Sequence, residues 1–195
     1  MAPKHTAMPY GKMPAPDVVS YLVGQHSRIR DLMVEVMGST GEPRKEAFRE
    51  LVRLLSVHET AEEEVVHPAG RVHAHSQGVV DDRLYEEREA KEMLERLDGM
   101  DPDDRQFLPL FLQMRQAVVT HAVYEQRYEF NRLRQNSAPG ELQAMRALVI
   151  AAEGTAPTHP HAGVESATKN LLLGPPTAIV DRTRDLIRKA RGEKG

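Results

Sequence analysis

The sequence predicts an all-α protein, an up-down-up-down four-helix bundle with a C-terminal extension of helix and loop. Apolar residues recur at intervals of three and four in four separate stretches, which is the period of amphipathic helices. The links between these stretches are short, which favours antiparallel neighbouring helices. Alternation of β-branched and polar residues is nowhere sustained, so we expect no sheet.

The pattern divides the chain into three parts. Residues 1–15 contain Pro and Gly without any period and predict a flexible N-terminal arm. The four apolar stripes place the bundle at 16–136. The remainder, 137–195, has too few apolar residues to fold alone, so we expect it to pack on the bundle or to order in a partner. Within it, 141–152 and 178–190 are candidate helices.

Turn signals locate the ends of the first two helices. The first stripe begins near Pro16 and ends at Gly38. The turn Gly41-Glu42-Pro43 precedes the second stripe, which Pro68-Ala69-Gly70 is expected to stop. A polar link rich in His and Gly should follow at 71–78.

The third and fourth helices are separated by a second turn. The third stripe ends at Asp98-Gly99. Asp101-Pro102 has the character of an N-cap followed by a proline in the first turn, which places the start of the fourth helix there. Pro109 lies early in the same stripe, so this helix either starts later or bends at that proline.

Composition excludes several classes of function. The 195 residues include 26 basic and 29 acidic side chains, a net charge of −3 that argues against nucleic-acid binding. Cysteine is absent, which excludes disulfides, thiolate zinc sites and cysteine-bound iron–sulfur clusters. The sequence has neither an apolar run long enough to span a membrane nor a signal-peptide core. We therefore expect a soluble cytoplasmic protein with small-molecule partners, as a monomer or homodimer.

Polar residues interrupt the apolar stripes at regular positions. His58 and Glu62 are four residues apart and share the apolar face of the second helix, and His121 and Glu125 repeat this arrangement on the fourth. A third such pair beginning at His161 lies among Pro and Gly and is attributed to chance. One further His and one further Glu lie on the stripes of the first and third helices. The candidate metal ligands are His26, His58, Glu62, Glu87, His121 and Glu125.

A metal centre is the simplest explanation for these residues. Carboxylates and neutral imidazoles that converge in the interior of a bundle repel one another or must take up protons, because an unpaired buried carboxylate costs several kcal/mol. Two divalent cations supply the missing positive charge. Mixed imidazole and carboxylate donors suit iron, manganese or zinc. Iron is the preferred metal, and zinc and manganese are the less favoured ones.

The ligand order resembles that of a known family. It runs His26, His58-x-x-x-Glu62, a third-helix ligand and His121-x-x-x-Glu125. This order, together with the text HETAEEEVVHPA around the end of the second helix, resembles the hemerythrin-like, or HHE cation-binding, domain. The resemblance covers roughly residues 16 to 135, and the tail is similar to extensions of actinobacterial members.

The resemblance implies a four-helix bundle around an oxo- or hydroxo-bridged pair of irons. It assigns His26 and His58 to one iron and His121 to the other. Glu62 and Glu125 would bridge the two ions. The metal centre itself would be the reactive group, with no separate catalytic side chain and no organic cofactor.

The third helix departs from the family pattern. The family usually places a histidine there, whereas this chain reads LYEEREAKEML and has none. Glu87 fits the phase of the stripe best, with Glu86 as the alternative. A carboxylate at this position makes the centre more similar to ferritin-type sites, and hard oxygen donors favour ferric iron. Oxidative or peroxide chemistry is then favoured over reversible binding of dioxygen, and loss of the second ion is the other possible consequence.

His67 is expected to lie away from the metals. It follows His58 by nine residues, which on an α-helix places it about half a turn from the ligand face. We therefore predict a position at the end or rim of the second helix, with ligation as the less favoured alternative.

Three functions remain open at this point, and enzymatic activity is one of them. The first is a di-iron protein that reduces or disproportionates hydrogen peroxide, or reacts with dioxygen. The second is reversible binding or sensing of dioxygen or nitric oxide. The third is iron handling without turnover.

Overall fold

The computed structural model describes residues 16–73 and 77–160, and within these ranges it contains helices and no strands. The helices are α1 (Val18–Gly38), α2 (Glu42–Ala61), α3 (His67–His73), α4 (Gln77–Asp98), α5 (Phe107–Tyr124), α6 (Asn131–Asn136) and α7 (Pro139–Glu153). Two π-helical segments, π1 (Glu62–Val66) and π2 (Glu125–Phe130), join α2 to α3 and α5 to α6. The predicted all-α bundle with a helical C-terminal extension is confirmed.

The first helix begins and ends where the sequence predicts. The Asp17 side chain accepts a hydrogen bond from the backbone N–H of Ser20 at 2.7 Å and so caps α1. The helix ends at Gly38, and Gly41 then adopts a φ of 62°, in the left-handed region that glycine tolerates. Pro43 lies in the first turn of α2, where no backbone donor is needed.

The second long helix continues past the predicted stop. The segments α2, π1 and α3 form one uninterrupted helix, so the predicted stop at Pro68-Ala69-Gly70 is wrong. In π1 the N–H of His67 donates to the carbonyl of Glu62, five residues earlier. A proline, which has no N–H to donate, is tolerated where the hydrogen-bonding pattern of a helix changes in this way. The sequence predicts a polar link at 71–78. In the structure its two ends, 71–73 and 77–78, are helical.

The fourth long helix starts late. It begins at Phe107 with Pro109 in its first turn, so the start predicted at Asp101-Pro102 is wrong and the later start is correct. The residues before it form turns, in which Asp104 N–H donates to the carbonyl of Asp101 at 2.9 Å. A proline in the first turn removes no helical hydrogen bond. From Phe107 the segments α5, π2 and α6 run without interruption to Asn136.

The extension supplies a further helix. The helix predicted at 141–152 is confirmed by α7, which packs against α1, α2 and π1. Glu153 at its end accepts hydrogen bonds from Tyr21 Oη at 2.7 Å and from Gln25 Nε2 at 2.6 Å. The predicted arm at 1–15 and the predicted helix at 178–190 lie outside the described residues. None of the helices in the described ranges is long and apolar enough to cross a membrane.

Two apolar clusters form the core, and they lie on either side of the polar residues singled out in the sequence. The first joins α1, α2, α4 and α5, and its largest members include Ile29, Leu51, Leu94, Phe107, Phe111 and Met114. The second joins α1, π1, α3, π2, α6 and α7 and the end of α2, and it includes Leu22, Val65, Phe130, Leu133, Met145 and Val149. On α1, His26 is the buried polar residue that lies between the two clusters. The bundle thus has a polar layer enclosed by apolar packing at both ends.

The aromatic part of the first cluster offers a test of the fold. Phe111 is fully buried and contacts Phe107 and Phe48 with ring centroids 5.6 and 6.2 Å apart. We expect Phe111→Ala to lower the free energy of unfolding by about 3–5 kcal/mol, because it opens a cavity. Leu112→Ala, at an adjacent side chain that is half exposed, should change it by no more than about 0.5 kcal/mol. Urea denaturation of the two variants measures the difference, and equal losses would contradict the assigned core.

Candidate metal centre

All six predicted residues lie in the polar layer. They come from the four long helices, which are α1, α2 with π1 and α3, α4, and α5 with π2 and α6. α1 carries His26, α2 and π1 carry His58 and Glu62, α4 carries Glu87, and α5 and π2 carry His121 and Glu125. Each of these side chains is buried. Their donor atoms form two groups, and within each group the atoms lie within 4.8 Å of one another. The sequence prediction thus identified residues that meet in space.

The first group contains two histidines and two carboxylates. It consists of His26, His58, Glu62 and Glu125. His26 Nε2 lies 3.2 Å from Glu125 Oε2, and His58 Nε2 lies 3.3 Å from Glu62 Oε1. All four residues are at least 97% buried, so bulk solvent does not reach these atoms.

The second group shares a carboxylate with the first. It consists of Glu62, Glu87 and His121. His121 Nε2 lies 3.7 Å from Glu87 Oε1 and 4.0 Å from Glu125 Oε2. Glu62 therefore belongs to both groups, and Glu125 lies in the first group and close to the second. The two carboxylates thus lie where the two groups meet.

Both π-helical segments begin at one of these two carboxylates. Glu62 is the first residue of π1, and Glu125 is the first residue of π2. A π turn inserts one extra residue into a helix and changes the direction of every side chain that follows it. The residues after Glu62 and Glu125 therefore face other directions than a regular α-helix predicts.

His67 shows the consequence of this shift. The prediction that it lies at the rim is wrong, because π1 separates it from His58 and turns its side chain into the centre. His67 is 1% exposed, and its Nε2 lies 2.7 Å from Glu87 Oε1. Its Nδ1 lies 2.9 Å from Glu129 Oε1. The sequence contains no clear signal of a π turn, so the α-helical period gave the wrong face.

Glu129 is a further buried carboxylate that the sequence analysis missed. In the sequence it repeats the four-residue spacing of His121 and Glu125, which is the signal that was present, but π2 begins at Glu125, so the α-helical period alone does not place it. It is fully buried, and with His67 and Glu125 it forms a third group of donor atoms within 4.8 Å of one another. A Cβ atom on Gly70 would lie 2.9 Å from Glu129 Oε1, so the glycine leaves the space that this carboxylate occupies.

Hydrogen bonds from outside the groups orient the imidazole rings. His58 Nδ1 lies 2.7 Å from Gln25 Oε1, and His121 Nδ1 lies 3.2 Å from Glu86 Oε2. Because the partner is an acceptor in both cases, Nδ1 carries a proton and Nε2 faces the carboxylates. Glu86, the alternative third-helix ligand, thus contacts the outer side of a ring, whereas Glu87 lies among the donor atoms.

The outer nitrogen of the His26 ring also contacts a side chain, that of a glutamine. His26 Nδ1 lies 2.8 Å from the side-chain amide nitrogen of Gln126. Turning that amide by 180° exchanges its oxygen and nitrogen, and the ring then donates from Nδ1 and leaves Nε2 as a free acceptor.

Nitrogen and oxygen atoms face one another across the centre. His58 Nε2, an acceptor in the neutral ring, lies 3.3 Å from Glu62 Oε1. Among the described residues, both oxygens of Glu62, Oε2 of Glu87 and Nε2 of His121 have no hydrogen-bond partner. Buried polar atoms of this kind are rare and costly unless a further group binds them. Nitrogen and oxygen acceptors that converge in this way fit a cation.

The pKa values show the same deficit of positive charge. Burial raises the pKa of Glu62 well above its usual value, and the carboxylates of Glu125 and Glu87 raise it further. Burial acts in the same direction on Glu125, but the contact with His26 outweighs it and holds the pKa at about 2. Burial, reinforced by His26, lowers the pKa of His58 well below its usual value, so this ring is neutral.

The sequence model of the hemerythrin HHE cation-binding domain matches residues 17–133, more than half of the chain. The chain belongs to this family. The resemblance noted in the sequence is thereby confirmed, and the donor groups lie within the matched region. The family is described as cation-binding. In this HHE domain, the converging acceptors described above are the groups that fit a cation.

One solved structure shares the fold of the HHE domain. It is a crystal structure of a hemerythrin HHE cation-binding domain-containing protein from Mycobacterium kansasii, with a TM-score of 0.64 and 17% sequence identity. The similarity covers 87% of this chain and 99% of that one. At this identity it shows the fold alone. No curated protein sequence is significantly similar to the chain.

A small cavity adjoins the donor groups of the HHE domain. Its volume is about 10 Å³, roughly the space that one water molecule requires. The apolar part of its lining comes from Ile29, Leu55, Ala90, Val118 and Ala122, and the donors His26, His58, Glu87 and His121 border it. Glu59 also lines the cavity, and burial raises its pKa to about 8 against the opposing charge of Lys91. Only a very small molecule can approach the centre from this side.

The raised pKa of Glu62 predicts how the metal-free protein responds to pH. Folded apoprotein binds a proton that the unfolded chain releases near pH 4.5, so stability falls as pH rises above that value. The loss is at most about 1.4 kcal/mol per pH unit for one group. We expect Glu62→Gln to reduce this slope and to stabilise the apoprotein at pH 7, because a neutral amide needs no proton uptake to be buried.

Chemical denaturation of chelator-treated protein between pH 4 and 8 measures the slope. Glu46→Gln, on the exposed side of α2, is the matched control and should keep the wild-type slope. If the Glu62 variant loses stability with pH as steeply as the wild type, Glu62 is not the group that takes up the proton on folding.

Proposed function

We propose that the centre binds two iron ions and that the protein reacts with hydrogen peroxide or dioxygen. The observation that carries this proposal is the pair of donor groups that share Glu62, in which His58 Nε2 and Glu62 Oε1 face each other at 3.3 Å. A proton on either atom would relieve only that contact. Two cations would satisfy the unpartnered acceptors of both groups together.

The groups suggest which residues hold each ion. His26 and His58 would hold one ion, and His121 and Glu87 would hold the other. Glu62 and Glu125 lie between the two groups and would serve both ions. The hydrogen bonds of Gln25 and Glu86 to Nδ1 keep two of these rings oriented, a contribution that metal sites generally require.

The donor set favours iron over other metals. Mixed nitrogen and oxygen donors suit iron, manganese and zinc, and a carboxylate-rich set favours a ferric ion. Glu87 stands where the family usually has a histidine, and this increases the share of oxygen donors. Two irons supply Lewis acidity and reversible storage of electrons, which is the chemistry that reduction or disproportionation of peroxide requires.

The residues around the centre restrict what can react there. The cavity has room for a molecule of about the size of water, so organic substrates are excluded, and dioxygen or hydrogen peroxide would enter only when the lining side chains move apart. Its apolar wall from Leu55, Val118 and Ala122 disfavours bulk water. The protein thus contributes ligand geometry, size selection and exclusion of solvent.

The first test of this proposal is metal content together with the absorption spectrum. We expect about two irons per chain after iron loading, with near-ultraviolet charge-transfer absorption of a bridged ferric pair, and catalysed loss of hydrogen peroxide. His58→Ala should lose stoichiometric iron and reduce peroxide loss by more than about tenfold. His159→Ala, at an exposed histidine paired with Asp98, is the control and should retain both.

The outcomes separate the candidate functions. Zinc or no metal after iron loading would overturn the redox proposal. About two irons without peroxide loss or oxidation by dioxygen would instead favour reversible gas binding or iron handling. Full iron occupancy in His58→Ala would contradict the ligand assignment.

Glu87 offers a second test, of the preference for oxidative chemistry. We expect Glu87→His to slow oxidation of the reduced centre by dioxygen and to move it toward reversible oxygen binding, because a neutral nitrogen donor stabilises ferric iron less than a carboxylate does. Stopped-flow absorption of anaerobically reduced protein mixed with dioxygen, followed by degassing, measures both effects.

An exposed carboxylate on the same helix provides the matched control. Glu92 lies on the exposed side of α4, so Glu92→His should leave the iron content and the reversibility close to wild type. Unchanged oxidation kinetics and iron content in Glu87→His would show that Glu87 is not a ligand.

A further inference from the structure

Four histidines surround the carboxylates of the centre, one more than the ligand set assigned above contains. In each of them Nδ1 contacts a side chain on the outer side of the ring: Gln126 for His26, Gln25 for His58, Glu86 for His121 and Glu129 for His67. In each of them Nε2 lies within 4.0 Å of a carboxylate of the centre. His67 thus has the same arrangement as the three histidines assigned as ligands.

His67 approaches the second donor group. Its Nε2 lies 2.7 Å from Glu87 Oε1, and His121 Nε2 lies 3.7 Å from the same oxygen. Two ring nitrogens from different helices therefore converge on one carboxylate oxygen. The other oxygen of Glu87 has no hydrogen-bond partner among the described residues and is available to a further group.

We propose that His67 is a further ligand of the second ion through Nε2, and that Glu129 is the positioning residue that holds its ring. This inference rests on the proposed pair of ions. Each ion then has two nitrogen donors: His26 and His58 for one, and His67 and His121 for the other. The histidine that α4 lacks is replaced by one from α3, which π1 turns toward the centre.

Glu129 is suited to the positioning role. It is fully buried on π2, and its Oε1 accepts from His67 Nδ1 at 2.9 Å. The absence of a side chain at Gly70 provides the space for this oxygen, since a Cβ there would lie 2.9 Å from it. A carboxylate on Nδ1 fixes the ring and strengthens Nε2 as a donor.

The rival role for His67 is a charged bridge between Glu87 and Glu129, without contact to metal. The two roles predict different numbers of metal-bound rings. In cobalt(II)-loaded protein, each ligand histidine bound through Nε2 contributes one strongly shifted, exchangeable Nδ1–H signal to the proton NMR spectrum. We expect four such signals from the wild-type full chain labelled with ¹⁵N-histidine, and three if His67 is only a bridge.

His67→Gln tests the same point by metal content. Glutamine can still hydrogen-bond to Glu87 and Glu129, so a bridging role would leave about two metals per chain and the same spectrum. We expect instead the loss of one shifted signal and at least about a tenfold weaker second metal-binding step. His159→Gln, at an exposed histidine, is the matched control and should keep four signals.

Glu129→Gln tests the positioning role separately. It should retain about two metals and shift one N–H signal, that of His67, while the other three stay in place. If all four signals stay in place, Glu129 does not position the ring.

Each outcome has a defined meaning. Three signals in the wild type, or an unchanged spectrum and metal content in His67→Gln, would overturn the role of His67 and leave the two-iron proposal intact. A wild-type chain that fails to bind about two metals would overturn both. Should His67→Gln fail to fold, the number of wild-type signals still decides between the two roles.

Discussion

The burial of several carboxylates in one layer of the bundle is the constraint on which the rest of the structure depends. Glu62, Glu87, Glu125 and Glu129 are all fully or almost fully buried, and they come from three different helices. Apolar clusters on both sides of the layer keep water from solvating them. Carboxylates confined in this way repel one another, and only protons or cations can offset the repulsion. The layer is therefore a weak point of the apoprotein and a strong site for a cation.

The imidazole rings link this layer to the packing of the whole bundle. The outer partner of each ring lies on a different long helix from the ring itself: Gln126 on π2 holds His26 of α1, and Gln25 of α1 holds His58 of α2. The same is true of Glu86 on α4, which contacts His121 of α5. The rings thus keep their orientation only when the four long helices keep their positions relative to one another. For the same reason, cation binding would stabilise the packing of these helices against one another.

The two π turns explain how so many donors reach a single layer. A regular helix returns to the same face every three or four residues, which limits how many side chains it directs at one point. Glu62 and Glu125 each begin a π turn, and the changed phase brings His67 to the centre on one helix. The same change allows Pro68 to lie within a continuous helix. Irregular helical turns at this depth are typical of functional sites.

The sequence by itself determined the fold class, most helix positions and the six residues that meet in the polar layer, because apolar periodicity and the His-x-x-x-Glu pairs are properties of a regular helix. It also indicated a carboxylate, not a histidine, at the third-helix position and favoured Glu87, while the structure places Glu86 on the outer side of His121. The tertiary structure alone decided that the second helix continues past Pro68, that the fourth begins at Phe107, and that His67 faces the centre. The reason is physical: a π turn shifts the phase of a helix by one residue, and its stability depends on contacts between helices that no local pattern records.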